Sequence, residues 1–150
     1  MDILPKVKYF EYKKNMKSNI IFHIPHNEIR VPFFAKKDYL ISREKITEEA
    51  ILLADWRVLK LIEKEIKKNN YLKFNYSRIF LDVERFKEGD DVMDSVGMGM
   101  MYSNGYLNKN FRKISVKNKD KIKNIITSII KSYLKYQKVL KVSLTKRLLS

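Results

Sequence analysis

The apolar run Asn19–Ile24 has to stop at Pro25, and the chain around it is arranged by that stop. Isoleucine, isoleucine and phenylalanine in so short a run read as a buried strand. Pro25 has no backbone N–H and biases the residue before it toward an extended conformation, so the strand ends there and the chain turns. His26 then falls on the first loop positions past a strand end, a place where open α/β sheets present ligand-binding and catalytic groups. The other histidine, His23, belongs to the strand. Residues three apart in an extended run face opposite sides, so the two imidazoles meet on one ion only if the Pro25 turn brings them together. His-x-x-His is equally compatible with two ordinary core or surface histidines, because it lacks the helical spacing and the glutamate of His-Glu-x-x-His.

The rest of the chain supplies strands and helices for one α/β domain spanning residues 1–150, a mixed central sheet flanked by helices. Val7–Tyr12 reads as an edge strand beside the Asn19 strand, forming a hairpin or a neighbouring pair with it. Glu44–Lys68 reads as one long helix. Glu48 and Glu49 lie in its first turns and Lys64, Lys67 and Lys68 in its last, as the helix dipole prefers. Ile51, Ala54, Val58, Leu61, Ile62 and Glu65 follow a 3.6-residue period and predict its core face. Asp55 interrupts that stripe: it is either a solvated acid at the stripe edge or a carboxylate turned into a cleft beside His26.

Tyr71–Tyr76 and Arg78–Val83 read as two further strands, the second the more deeply buried. That second run ends in Asp82, Glu84 and Arg85. An arginine between carboxylates at a strand tip suits bidentate capture of a substrate carboxylate, and equally an ordinary surface ion pair. Lys87–Ser95 is an acidic loop. In Val96–Tyr102, two glycines mark places where the backbone bends sharply or is closely approached. Ser115–Lys138 predicts a second long helix with isoleucines on one face and lysines opposite, and Val139–Leu144 the start of another strand.

Composition narrows the function classes. With 45% hydrophobic residues, 33% charged and few glycines and prolines, the chain can bury a core and is not a disordered polymer. No apolar run approaches the ~18 to 20 residues of a membrane span, and the N-terminus lacks the pattern of a secretory signal. The absence of cysteine excludes disulfides, thiolate metal sites and a cysteine nucleophile, and the cytoplasm is the expected location. The net charge of +15 is concentrated in the last third. Residues 105–150 carry 13 lysines and arginines against the single acid Asp120, a balance of +12 that leaves +3 for residues 1–104. A nucleic-acid surface and solvated lysine-rich helix faces both fit this charge. Lysine dominates, and a base-stacking module is not evident, which favours the solvated faces.

Four separated segments, in the same order and spacing, resemble the N-formylglutamate amidohydrolases over roughly residues 19–138. HIPHNEIRVP is similar to the family's HIPHSG-x-R-I-P, ADW at Ala54–Trp56 to its helix TDW, YSRIFLDVERF at Tyr76–Phe86 to FSRLVVDVERF, and VGMGMMYS at Val96–Ser103 to VGMGVIYT. The resemblance implies a phosphorylase/zinc-carboxypeptidase-like α/β hydrolase that splits N-formyl-L-glutamate into formate and glutamate in histidine breakdown. It implies zinc, with His26 as a ligand and Asp55 as a second ligand or the acid that holds the histidine. It also implies a small N-acyl amino acid substrate, with Arg85 and Glu84 at its carboxylate and Arg30, the arginine of the first segment, as a further substrate-binding residue.

The departures are specific. Glu28 replaces the family's glycine, and Leu59 stands where the family's TDWYTDEL has a second helix acid. Family members continue into a strand ending in Asp-x-His-Ser and later supply a catalytic glutamate. No histidine follows His26 here, and three protein ligands are the norm for catalytic zinc. The expectation is therefore the N-terminal part of such an enzyme, ended early after about Leu140, with no catalytic residue assigned. Alternatives are a non-catalytic remnant of that enzyme and a basic nucleic-acid-binding module.

Overall fold

A computed structural model describes residues 9–15, 17–85 and 91–113, together with Asn124, Thr127, Ser128, Lys131 and Lys135. Those residues form a small mixed α/β protein around a three-stranded sheet. Its strands are β1 (Phe10–Lys13), β2 (Ile21–Ile24) and β3 (Asn70–Phe74), in the order β1-β3-β2. β3 is antiparallel to β1, with Phe10 opposite Phe74, and parallel to β2, with His23 opposite Leu72. Three expected strands are thus present, those read at Val7–Tyr12, Asn19–Ile24 and Tyr71–Tyr76, and β1 is an edge strand. The expected pairing of the first two is not: β3 lies between them. A side chain from β3 helps hold the connection that separates β1 from β2. Buried Asn70 donates to the carbonyls of Ser18 and Ile20 at 3.1 and 3.0 Å and accepts from the Asn15 amide at 2.7 Å.

Burial along β3 alternates. Asn70, Leu72 and Phe74 point into the core, while Tyr71 and Lys73 meet Glu11 and Glu28 on the other face. On the core side a chain of aromatic edges runs from Phe10 through Phe74, Tyr76 and Phe80 to Phe34, with ring centres 5.4 to 6.1 Å apart.

The helix expected over Glu44–Lys68 is three pieces: α1 (Arg43–Leu53), α2 (Val58–Leu61) and α3 (Glu63–Lys68). Ser42 caps α1 by accepting from the Lys45 amide. The break at Ala54–Arg57 has two visible causes. The Asp55 amide donates to the His26 carbonyl at 2.9 Å instead of continuing the helix ladder, and Arg57 adopts a left-handed φ of 71°. Asn27 then accepts from the Leu59 amide at 3.1 Å and seats α2. The interruption also resets the helical phase, so the expected stripe does not run through. The face α1 buries is Ile46, Glu49 and Ala50, whereas Ile51 and Leu61 are exposed.

Arg78–Val83 is as buried as expected but is not a strand. Ile79, Phe80 and Leu81 are fully buried in a turn in which the Phe80 amide donates to the Ser77 carbonyl at 3.0 Å. Side chains occupy the carbonyls that a neighbouring strand would have taken. The Tyr39 hydroxyl donates to Ile79 O at 3.0 Å, and buried Arg112 donates to Ile79 O and Phe80 O at 3.2 and 2.8 Å. Burial pushes the Tyr39 hydroxyl up to about 12, Arg112 opposing the rise. A phenol whose folded value exceeds its unfolded one contributes its full stability below pH ~10 and loses it as pH rises toward ~12. The protein is therefore expected to lose ~2 to 3 kcal/mol across that window through this one group. Urea unfolding of wild type and Tyr39→Phe at pH 9, 10.5 and 12 checks this. An equally steep alkaline loss in the phenylalanine variant would refute it.

Both glycines of the Val96–Tyr102 segment do what that segment predicts. Gly97 ends the 3-10 turn Val92–Val96 with φ of 72°, and a side chain at Gly99 would collide with Asp94. Of the second long helix, Asn124, Thr127, Ser128, Lys131 and Lys135 are helical and exposed. Val7, Val139–Leu144, residues 87–90 of the acidic loop and most of the basic last third lie outside the described residues. Among the described residues, no helix is long and apolar enough to cross a membrane.

Candidate functional site

Pro25 turns the chain out of β2, and the buried His26 side chain is received by a residue 56 positions later. Its Nε2 lies 2.7 Å from Asp82 Oδ1. Asp82 is fully buried and carries several interactions at once. Its Oδ2 accepts from Arg78 Nε and Nη2 at 3.1 and 2.8 Å and from the Tyr102 hydroxyl at 3.2 Å. Its Oδ1 also accepts from the Glu84 amide at 3.1 Å. Burial alone would raise the carboxyl, but the His26 hydrogen bond and the charges of His26 and Arg78 outweigh it and hold Asp82 down to about 2. Asp82 is therefore ionised near neutral pH, so the proton on that hydrogen bond belongs to His26 Nε2.

Two carboxylates face the other ring nitrogen. Nδ1 is 3.7 Å from Asp55 Oδ2, which the helix break has delivered, and 3.8 Å from Glu84 Oε2. Both carboxylates are substantially exposed, Asp55 at 60% and Glu84 at 46% of the side chain. Two carboxylates beside one ring nitrogen attract a positive charge, either a proton on the ring or a cation among the three groups. Glu84 also reaches back to His23, with Oε1 3.2 Å from Nδ1. The Pro25 turn thus brings both imidazoles to one carboxylate, despite the opposite facing expected along a strand. Partial burial holds His23 below its ordinary value, Glu84 opposing and His26 adding to that shift.

Comparison of the chain with protein-family models, curated proteins and solved structures finds no match.

Sequence reasoning named His26, Asp55, Glu84 and Arg85, and the structure gathers them. Arg85 sits beside Asp82, its Nε 3.6 Å from Oδ2 and its Nη1 3.7 Å from Asp91 Oδ1. These are ion-pair separations and not hydrogen bonds, so the fork retains donors for an incoming anion. Arg30 goes elsewhere. It donates to the Asn75 carbonyl at 3.4 Å and lies over the Tyr76 ring at 5.0 Å, and no hydrogen bond or ion pair joins it to the His26 group among the described residues. Arg78 and Tyr102 received no role in the sequence reading, and Asp82 only that of a carboxylate beside Arg85. The available signal was the Arg78-to-Asp82 spacing of four across an apolar run, where a buried carboxylate needs a partner.

As they stand, no group of three or more His, Asp or Glu among the described residues is arranged to hold a metal ion. The separations at His26 Nδ1 exceed the ~3.3 Å between neighbouring ligands on a tetrahedral zinc with ~2.0 to 2.1 Å bonds. The donor set nevertheless fits the chemistry of zinc. One imidazole nitrogen is fixed by a carboxylate behind it, and two solvent-exposed carboxylates stand 3.7 and 3.8 Å from the other.

Proposed function

We propose that this protein is a zinc-dependent hydrolase of the amide in N-formylglutamate or a closely related N-acyl amino acid, on a phosphorylase/zinc-carboxypeptidase-like sheet. The observation that supports the reading most is His26 Nδ1 facing Asp55 and Glu84 while Asp82 holds Nε2 from behind. The four-segment resemblance to the N-formylglutamate amidohydrolases adds the substrate class.

His26, Asp55 and Glu84 would hold the metal, which supplies Lewis acidity toward an acyl carbonyl. Asp82 fixes the tautomer and ring orientation of His26, and Tyr102 and Arg78 fix Asp82. Arg85, at the rim of the same group, pairs with the substrate's carboxylate and orients its amide. Using Glu84 as a metal donor shifts it from the substrate-binding role that the resemblance implies.

Purified protein is expected to carry about one zinc per chain by elemental analysis, and His26→Ala to carry almost none. Formate release from N-formylglutamate should fall with zinc content on chelation. Unchanged zinc in His26→Ala would overturn the ligand assignment. Full zinc without formate release would retain the metal site and reject the substrate.

A further inference from the structure

We propose a second binding site, for a small phosphomonoester, in the groove between the segment Ile29–Val31 and the first turns of α1. The groove encloses about 270 Å3 and is lined by Ile29, Arg30, Val31, Lys36, Arg43 and Ile46, with Thr47 at its edge. Its lining holds three cations and no acid. The cations come from three different places in the chain: the segment after His26, the 3-10 turn Phe33–Asp38, and α1. None of the three forms a salt bridge among the described residues. Arg43 and Thr47 are shared with a neighbouring groove along α1 that also carries Glu44 and Glu48, so of the three cations Arg43 is the one that shares a groove with acids.

Arg30 is held over Tyr76 by ring contact and by one long hydrogen bond to the Asn75 carbonyl, so most of its fork is unused. The floor is apolar, with Val31 and Ile46 at 4% and 5% exposure. Three cationic side chains and an apolar lining in one groove suit a dianion with three terminal oxygens joined to a short apolar body. A carboxylate offers only two oxygens and one charge to the same set. A volume of about 270 Å3, below the ~300 to 1,000 Å3 of drug-sized sites, suits a small phosphomonoester. The groove owes nothing to the His26 group and stands whether or not that site binds zinc.

The test is calorimetric titration of the full chain with phenyl phosphate, inorganic phosphate, benzoate and phenol at low and high salt. Phenyl phosphate is expected to bind saturably, about tenfold or more tighter than inorganic phosphate or benzoate, with phenol not binding and with affinity falling as salt rises. Lys36→Gln combined with Arg43→Gln should weaken phenyl phosphate about tenfold or more. Both positions are solvent-accessible, and an unchanged melting temperature confirms that the variant is folded. Equal binding by that variant, equal affinity for benzoate, or no saturation by phenyl phosphate would each overturn the proposal. Arg43→Lys, which keeps the charge, should restore part of the affinity.

Discussion

Glu49→Ala is expected to lower the unfolding free energy by about 3 to 5 kcal/mol, a large share of what a small domain has. Glu49 is fully buried on the inner face of α1. Its carboxylate accepts from the backbone amides of Tyr106, Leu107 and Asn108 at 2.6, 2.8 and 2.6 Å and from the Asn108 side chain at 2.8 Å. A turn with three amides pointing inward is an anion cradle, and here α1 supplies the anion. Gly105 is part of the fit, because a side chain there would strike the Glu49 carboxylate. Alanine leaves several donors without their acceptor and a void under the loop. Glutamine keeps the volume but presents an amide N–H₂ to amide donors, and should lose about half as much. Urea midpoints for the two variants measure this, and a loss under ~1 kcal/mol for alanine would mean that water satisfies the cradle equally well.

Asp82→Asn carries the second large effect, and it reports on stability and site together. Asparagine has one acceptor oxygen where aspartate has two, so either Arg78 or His26 must face an N–H₂ group. Uncoupling the buried carboxylate from Arg78 is expected to cost about 3 to 5 kcal/mol, because the guanidinium stays behind, partly buried and unpaired. The same substitution releases the His26 ring, and zinc affinity should drop about 10- to 100-fold on the proposed reading. Asp55→Asn, at an exposed carboxylate, should weaken zinc with little loss of stability, which separates ligand from support. If Asp82→Asn melts like wild type, the hydrogen-bond network drawn around it is wrong.

Part of this site can be read along the chain. Pro25 stops a strand whatever surrounds it, so the place of His26 past β2 follows from the backbone chemistry of proline. Gly97 and Gly99 stand where a side chain would need a left-handed φ or the space filled by Asp94, and the glycines announce it. Arg85 and Glu84 at the end of a buried run were legible for a similar reason, since charge next to a fully apolar segment has to reach an edge or a cleft.

Other features were illegible because they depend on partners far along the chain. The apolar period of Ile51, Ala54, Val58 and Leu61 favours one helix. A single hydrogen bond from the Asp55 amide to the His26 carbonyl helps break it, and so delivers the carboxylate to the imidazole. The apolar run at Ile79–Leu81 records burial but not which groups take its carbonyls. Tyr39 and Arg112 take them, and the segment turns instead of pairing. Strand order is of the same kind: β1 and β2 are neighbours in sequence, yet β3 lies between them. Sequence by itself determined that β2 stops at Pro25, that the run Ile79–Leu81 is buried and that charge follows it at Glu84 and Arg85. Tertiary structure alone decided which carboxylate holds His26, because hydrophobic pattern specifies a period and an environment, whereas a hydrogen bond needs a particular atom at a particular distance.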